Sequence, residues 1–111
     1  MAATPVPFNL ANIDNALVTV YTCPASTVAF VHNLILANIS GAAINVDVTY
    51  TRNASGVTTY LVFNAPIPAG GSLVVLGDNN KQAMQAADII RVRATSGTNV
   101  LDCTGSVLEQ T

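Results

Sequence analysis

For most of its length the chain alternates apolar and polar residues with a period of two, the repeat of strands that bury one face. The clearest case is 44–51, where Ile44, Val46, Val48 and Tyr50 point one way and Asn45, Asp47, Thr49 and Thr51 the other. The preceding run, 28–39, is less regular: Leu34, Ile35 and Leu36 are apolar on both faces. Val31, Ile35 and Ile39 share one side if the register is unbroken, whereas a bulge at His32-Asn33 would exchange the faces. Joined at Ser40-Gly41, the two runs read as an antiparallel pair, and 28–52 as the element around which the chain is organised.

The other segments follow the same logic. Residues 1–16 carry Pro5 and Pro7, which remove backbone donors and favour an extended arm or edge position. Phe8 and Leu10 anchor this arm, either on its own domain or across a neighbour. A short strand over 17–22 stops at Cys23-Pro24. The turn Asn53-Ala54-Ser55-Gly56 leads into a strand over 57–64, completing a three-stranded meander. Pro66 and Pro68 stiffen 65–71 into a crossing between sheets, followed by a strand over 72–76. After the turn Gly77-Asp78-Asn79-Asn80, the segment 81–87 (KQAMQAA) is the one run rich in helix formers, enough for one or two helical turns with Asn80 as N-cap. In 89–95, Arg91 and Arg93 share a face with Ile89, while Ile90, Val92 and Ala94 share the other. Over 99–109, Leu101, Cys103 and Val107 alternate with Asp102, Thr104 and Ser106, and Gly105 marks a bulge. The spacing predicts an all-β fold: a single antiparallel β-sandwich of jelly-roll or Greek-key type, of about eight strands, with at most one short helix near 81–87. It divides into an N-terminal arm and edge segment, 1–16, and a sandwich domain, 17–111.

Composition narrows the class of function. Only 9% of the 111 residues are charged, against about 25% in ordinary globular proteins, so Thr, Asn and Ser make most of the polar surface. A net charge of −2 offers no basic field for nucleic acid, whose binding is led by Lys and Arg on phosphates. No run approaches the ~20 apolar residues of a membrane span. The N-terminal stretch MAATPVPFNL lacks the charged and apolar regions of a secretory signal, so synthesis in the cytoplasm is expected. There, Cys23 and Cys103 read as reduced, partly buried thiols, with a disulfide open to a protein that leaves the cell.

No constellation of catalytic type is visible. His32 is the one histidine, without a nucleophile or carboxylate nearby in sequence. Asp14, Asp47, Asp78, Asp88, Asp102 and Glu109 form no close pair. Asp78-Asn79-Asn80 lacks the distant Glu of a calcium loop, and Gly70-Gly71 and Gly77 lack the Lys-Ser/Thr sequel of a phosphate loop. Asn38-Ile39-Ser40 and Asn53-Ala54-Ser55 match the glycosylation sequon only by coincidence in a chain without a secretion signal. No enzyme activity, cofactor or metal is expected. Arg91 and Arg93 are the one concentration of positive charge, either a solvated strand face or a salt-bridging interface.

The segments VYTCPASTVAFVHNLILANISGAAINVDVTYT, APIPAGGSLVVLG, AADIIRVRATSG and SVLEQT resemble the small β-sandwich virion proteins of tailed bacteriophages. The resemblance implies a non-enzymatic structural subunit made in the host cytoplasm and carried on the capsid surface, a decoration or cement protein. Its implied partners are the major capsid protein and further copies of itself, commonly as trimers. The expected interface is Pro5, Pro7, Phe8 and Leu10 on the arm, Val31, Ile35 and Ile39 on the central strand, and Arg91 and Arg93. A neck or tail component and a receptor- or glycan-binding surface protein are the competing readings.

Overall fold

The computed structural model describes residues 3–77 and 81–111. Among these residues nine strands form: β1 (Ala3–Ile13), β2 (Val18–Thr22), β3 (Val28–Asn38), β4 (Ile44–Arg52), β5 (Val57–Ile67), β6 (Ser72–Leu76), β7 (Gln82–Met84), β8 (Ile89–Ala94) and β9 (Leu101–Gln110). They form two antiparallel sheets, one ordered β1-β9-β3-β6 with β7 also on β3, the other β2-β8-β4-β5. Apart from the β4–β5 hairpin and the β6–β7 segment, every connection passes from one sheet to the other. This interleaving is the jelly roll. Between the sheets lies one core, in which Leu34, Leu36, Met84, Ile90, Leu101 and Val107 are fully buried.

The pair expected over 28–52 is not a hairpin. β3 and β4 lie in opposite sheets, each turning an apolar face to the same core. Asn38 redirects the chain between them. Its side-chain amide donates to the carbonyls of Ala42 (2.8 Å), Ile67 (3.1 Å) and Pro68 (3.1 Å), and its Oδ1 accepts from the Ser40 N–H at 2.9 Å. These bonds occupy the place of a two-strand turn and tie the carbonyls of Ala42, Ile67 and Pro68 to one buried side chain. The three-stranded meander is corrected with it, since only β4 and β5 pair, from Ile44↔Ile67 to Arg52↔Val57. Gly56, at φ +71°, closes that hairpin by donating to the Arg52 carbonyl at 2.8 Å. The crossing predicted over 65–71 does carry the chain from one sheet to the other.

The register of β3 breaks at His32: Val31 pairs with Val107, but Asn33 with Ser106. One extra residue exchanges the faces. Ala29 and Val31 point into the core before the bulge, Leu34 and Leu36 after it. Val31 therefore does not share a face with Ile35 and Ile39. The bulge expected at Gly105 is absent, because pairing through Phe8↔Gly105 and Leu34↔Gly105 is unbroken there. Gly105 serves a different need. A Cβ at this position would lie on the Phe8 ring and 2.5 Å from the Asn33 carbonyl oxygen.

The helix expected over 81–87 does not form. Gln82–Met84 is a strand pairing with β3, Ala29 opposite Met84, and the fully buried Met84 fills the core. Seven residues cannot sustain a helix alone, so the unfilled edge of β3 decides the conformation. The N-cap assigned to Asn80 lies outside the described residues. β1 runs along β9 from Ala3↔Gln110 to Leu10↔Cys103 without a break. In that ladder a proline fits only where its missing N–H would face outward. Pro5 and Pro7 thus leave the free edge of the sheet short of donors for a further strand.

Candidate functional site

Each described acidic side chain accepts a hydrogen bond that holds the fold. Of the described carboxylates, Asp47 pairs with Arg93 (2.8 Å) and accepts the Asn64 N–H (2.7 Å), and Glu109 accepts the Tyr21 hydroxyl at 2.6 Å. Asp14 accepts the Asn99 N–H (2.7 Å) and Asp102 the Asn12 N–H (3.0 Å). Asp88 is buried and accepts the Tyr50 hydroxyl (2.5 Å) and the N–H groups of Gln85 (2.8 Å) and Asn53 (2.9 Å). Burial alone would raise the Asp88 pKa, but these three donors and the nearby Arg52 outweigh it and hold the carboxyl below its usual range. Burial, with the Asp88 bond, pushes the Tyr50 hydroxyl up to about 12. His32 sits half-buried in the β3 bulge. Among the described residues no three metal-ligating side chains gather.

What the fold presents outward is two sheet faces. On the five-stranded sheet, register places Pro5, Leu108, Phe30 and Ala83 in one row across four strands. Val28 and Phe30 are exposed beside Leu108. Farther along the same face the row Asn9, Thr104, Ile35 and Val74 crosses, and Val74 keeps 60% of its surface exposed. Next to that row lies a depression of about 310 Å³, lined by Leu10, Ala11, Ile35, Ala37 and Thr104, with Asp102 in its wall. It opens where β1 slips register between Leu10 and Ile13, around Asn12 at φ 58°.

The four-stranded sheet has a different outer surface. Tyr60, Thr49, Arg91 and Thr19 form a row across it. β5 slips register twice against β4, between Val46 and Val48 and again between Val48 and Thr49. Asn64, at φ 53°, takes the left-handed conformation at the first slip. As a result Leu61 and Val62 both pack toward the core, while Tyr60 and Phe63 stand outside, 49% and 68% exposed. Their rings meet edge to face, with centroids 4.9 Å apart. Arg91 donates to the Thr51 hydroxyl at 3.3 Å and pairs with no carboxylate among the described residues. The buried Thr49 hydroxyl in the same row has no partner among the described residues.

The residues singled out from sequence are therefore dispersed. Pro5 and Pro7 face outward on β1, whereas Phe8 and Leu10 turn inward against the core, Phe8 over Gly105 and 5.8 Å from the Tyr21 ring. Val31 is wholly buried and cannot touch a neighbour, because the His32 bulge turned it inward. Ile35 lines the depression, and Ile39 is exposed in the crossing to β4. Arg91 and Arg93 lie on the opposite sheet, Arg93 already neutralised by Asp47. Sequence reasoning missed Phe30, Val74, Asp102 and the Tyr60–Phe63 pair. The signal for the last was Asn64, a residue that tolerates positive φ and so permits the bulge that turns Phe63 outward.

No protein-family model and no curated protein matches this chain. Solved structures do. A chain of the Bacillus endospore appendages, which are disulfide-linked pili, superposes with a TM-score of 0.56 at 12% identity, covering 99% of this chain and 87% of that one. A chain of the T13 particle of infectious bursal disease virus gives 0.56 at 10% identity, covering 96% of this chain and 30% of its own length. VP2 in that virus's subviral particle gives 0.54 at 10%, covering 97% and 32%. This chain thus spans about a third of those viral chains. What is shared is the fold. In this molecule both cysteines are free and buried, Cys23 bonded to the Thr27 carbonyl at 3.4 Å, so neither thiol is presented for a link between subunits.

Proposed function

We propose that the chain is a non-enzymatic structural protein of a bacteriophage virion, a decoration or cement subunit that binds the shell surface and bridges neighbouring capsid subunits. The observation that carries this reading is the apolar row Pro5, Leu108, Phe30 and Ala83, with Val28 beside it, on the outer face of the five-stranded sheet. A contiguous apolar patch rimmed by polar residues marks an interaction surface. The prolines at the free edge of β1 discourage strand addition, so association proceeds through the face. A subunit with 9% charged residues is suited to permanent burial against other protein. The sequence resemblance to tailed-phage virion proteins and the fold likeness to viral and pilus proteins support the same role.

Each bound copy ties two shell subunits together through geometry alone and so raises the barrier to rupture. The test is to add purified protein to shells lacking it and measure occupancy and the temperature of DNA release. Wild-type protein binds and raises that temperature. Phe30→Arg, a surface change that leaves the core intact, binds weakly and gives no protection. Equal binding by the two would contradict the assignment of the face.

A further inference from the structure

The two outer faces are complementary to one another. The four-stranded sheet presents a knob: Phe63 is the most exposed large apolar side chain among the described residues, propped edge-on by Tyr60, with Arg91 two strands away on the same face in the Tyr60–Thr49–Arg91 row. The five-stranded sheet presents a socket: the depression of about 310 Å³ with apolar lining from Ala11, Ile35 and Ala37 and Asp102 in its wall. Asp102 spends one oxygen, Oδ1, on the Asn12 N–H. We propose that Phe63 of one copy seats in this depression of a second copy, with Arg91 meeting Asp102, so that copies join head to tail.

Charge selects this pairing over the symmetric ones. Two knob faces brought together would set two net-positive surfaces against each other, since Asp47 on that face is already taken by Arg93 and Arg91 pairs with no carboxylate among the described residues. Two socket faces would bring Asp102 to a sheet that carries no arginine among its strands. Only the knob-to-socket contact joins opposite charges around an aromatic anchor, the composition of an interface hot spot. A surface knob complementary to a pocket elsewhere on the same molecule makes a heterologous contact, which closes into a ring or extends as a filament. The socket is also clear of the Val28–Phe30 end of its face, leaving that end for the shell. This contact rests on reading the chain as an assembling subunit and supplies the link between its copies.

Two variants test it by sedimentation velocity over a range of concentrations. Phe63→Ser removes the knob and Ala37→Tyr fills the socket; both positions are on outer faces, and circular dichroism checks that each variant folds. Wild-type protein self-associates, and each variant alone stays monomeric, its dissociation constant raised by about 30-fold or more. An equimolar mixture forms one dimer and nothing larger, because the intact socket of the first receives the intact knob of the second. Asp102→Arg also abolishes association, and Asp102→Arg with Arg91→Glu in one chain restores it. Wild-type protein that stays monomeric, a mixture that stays monomeric, or either variant assembling like wild type overturns the contact. Shell occupancy separates this proposal from the shell role: wild-type protein that fills the shell yet stays monomeric in solution rejects the contact and leaves the shell role standing, whereas Phe63→Ser that fills the shell without self-associating supports both.

Discussion

Replacing Asp88 by alanine takes away one buried carboxylate and leaves three donors without an acceptor. The residue is 1% exposed and ties Tyr50 on β4, Asn53 in the β4–β5 turn and Gln85 in the β7–β8 turn into one cluster. A hydrogen bond to a charged group contributes about 1.5–3 kcal/mol. Asn53 and Gln85 are exposed residues, so water replaces part of their loss, and the net cost is about 3–4 kcal/mol. For a domain of this size that lowers Tm by roughly 12–16 °C, read by calorimetry at pH 7. The sign of the pH dependence follows from the depressed folded pKa. The stabilisation is complete above the unfolded value of about 3.9 and is lost as pH falls through the lower folded value. Wild type therefore loses stability in acid more steeply than Asp88→Ala, whose curve lacks this contribution. A Tm loss under ~4 °C, or parallel acid limbs for the two proteins, would refute the reasoning.

Three further changes probe the rest of the fold. Gly105→Ala forces a Cβ against the Asn33 carbonyl and the Phe8 ring and costs about 1–3 kcal/mol or more; adding Phe8→Leu recovers only part, since the carbonyl stays in place, and denaturant titration of wild type and the two variants measures it. Met84→Ala empties a fully buried site and costs about 2–5 kcal/mol by the same assay, whereas a near-neutral result would mean that β7 does not seal the core. Burial pushes the Cys103 thiol up to about 12 and also raises Cys23, so both react with a thiol reagent only at the rate of unfolding; prompt labelling of either in native protein would contradict their placement.

The strand content was legible because alternation is local: β4, β8 and β9 bury the residues that the period of two assigns, such as Val46, Val48, Ile90, Val92 and Leu101. The crossing at Pro66–Pro68 was legible because proline limits the backbone. Pairing was not legible, since a polar link of a few residues such as Ser40-Gly41 suits a hairpin and an arch equally, and the choice rests on Asn38 reaching Ile67 and Pro68 carbonyls far along the chain. Bulges hid the outer faces. One extra residue at His32 moved Val31 into the core, and the slips in β5 moved Phe63 out. The segment 81–87 carries helix-forming residues, yet the open edge of β3 and the apolar site for Met84 make it a strand, a tertiary demand absent from any local window.

Whether the subunit coats a shell is read from its copy number in purified particles, measured by quantitative mass spectrometry against the major capsid protein. A subunit that coats the shell is present in a copy number that scales with the number of shell subunits. A handful of copies per particle, as for a neck or tail component, would contradict it.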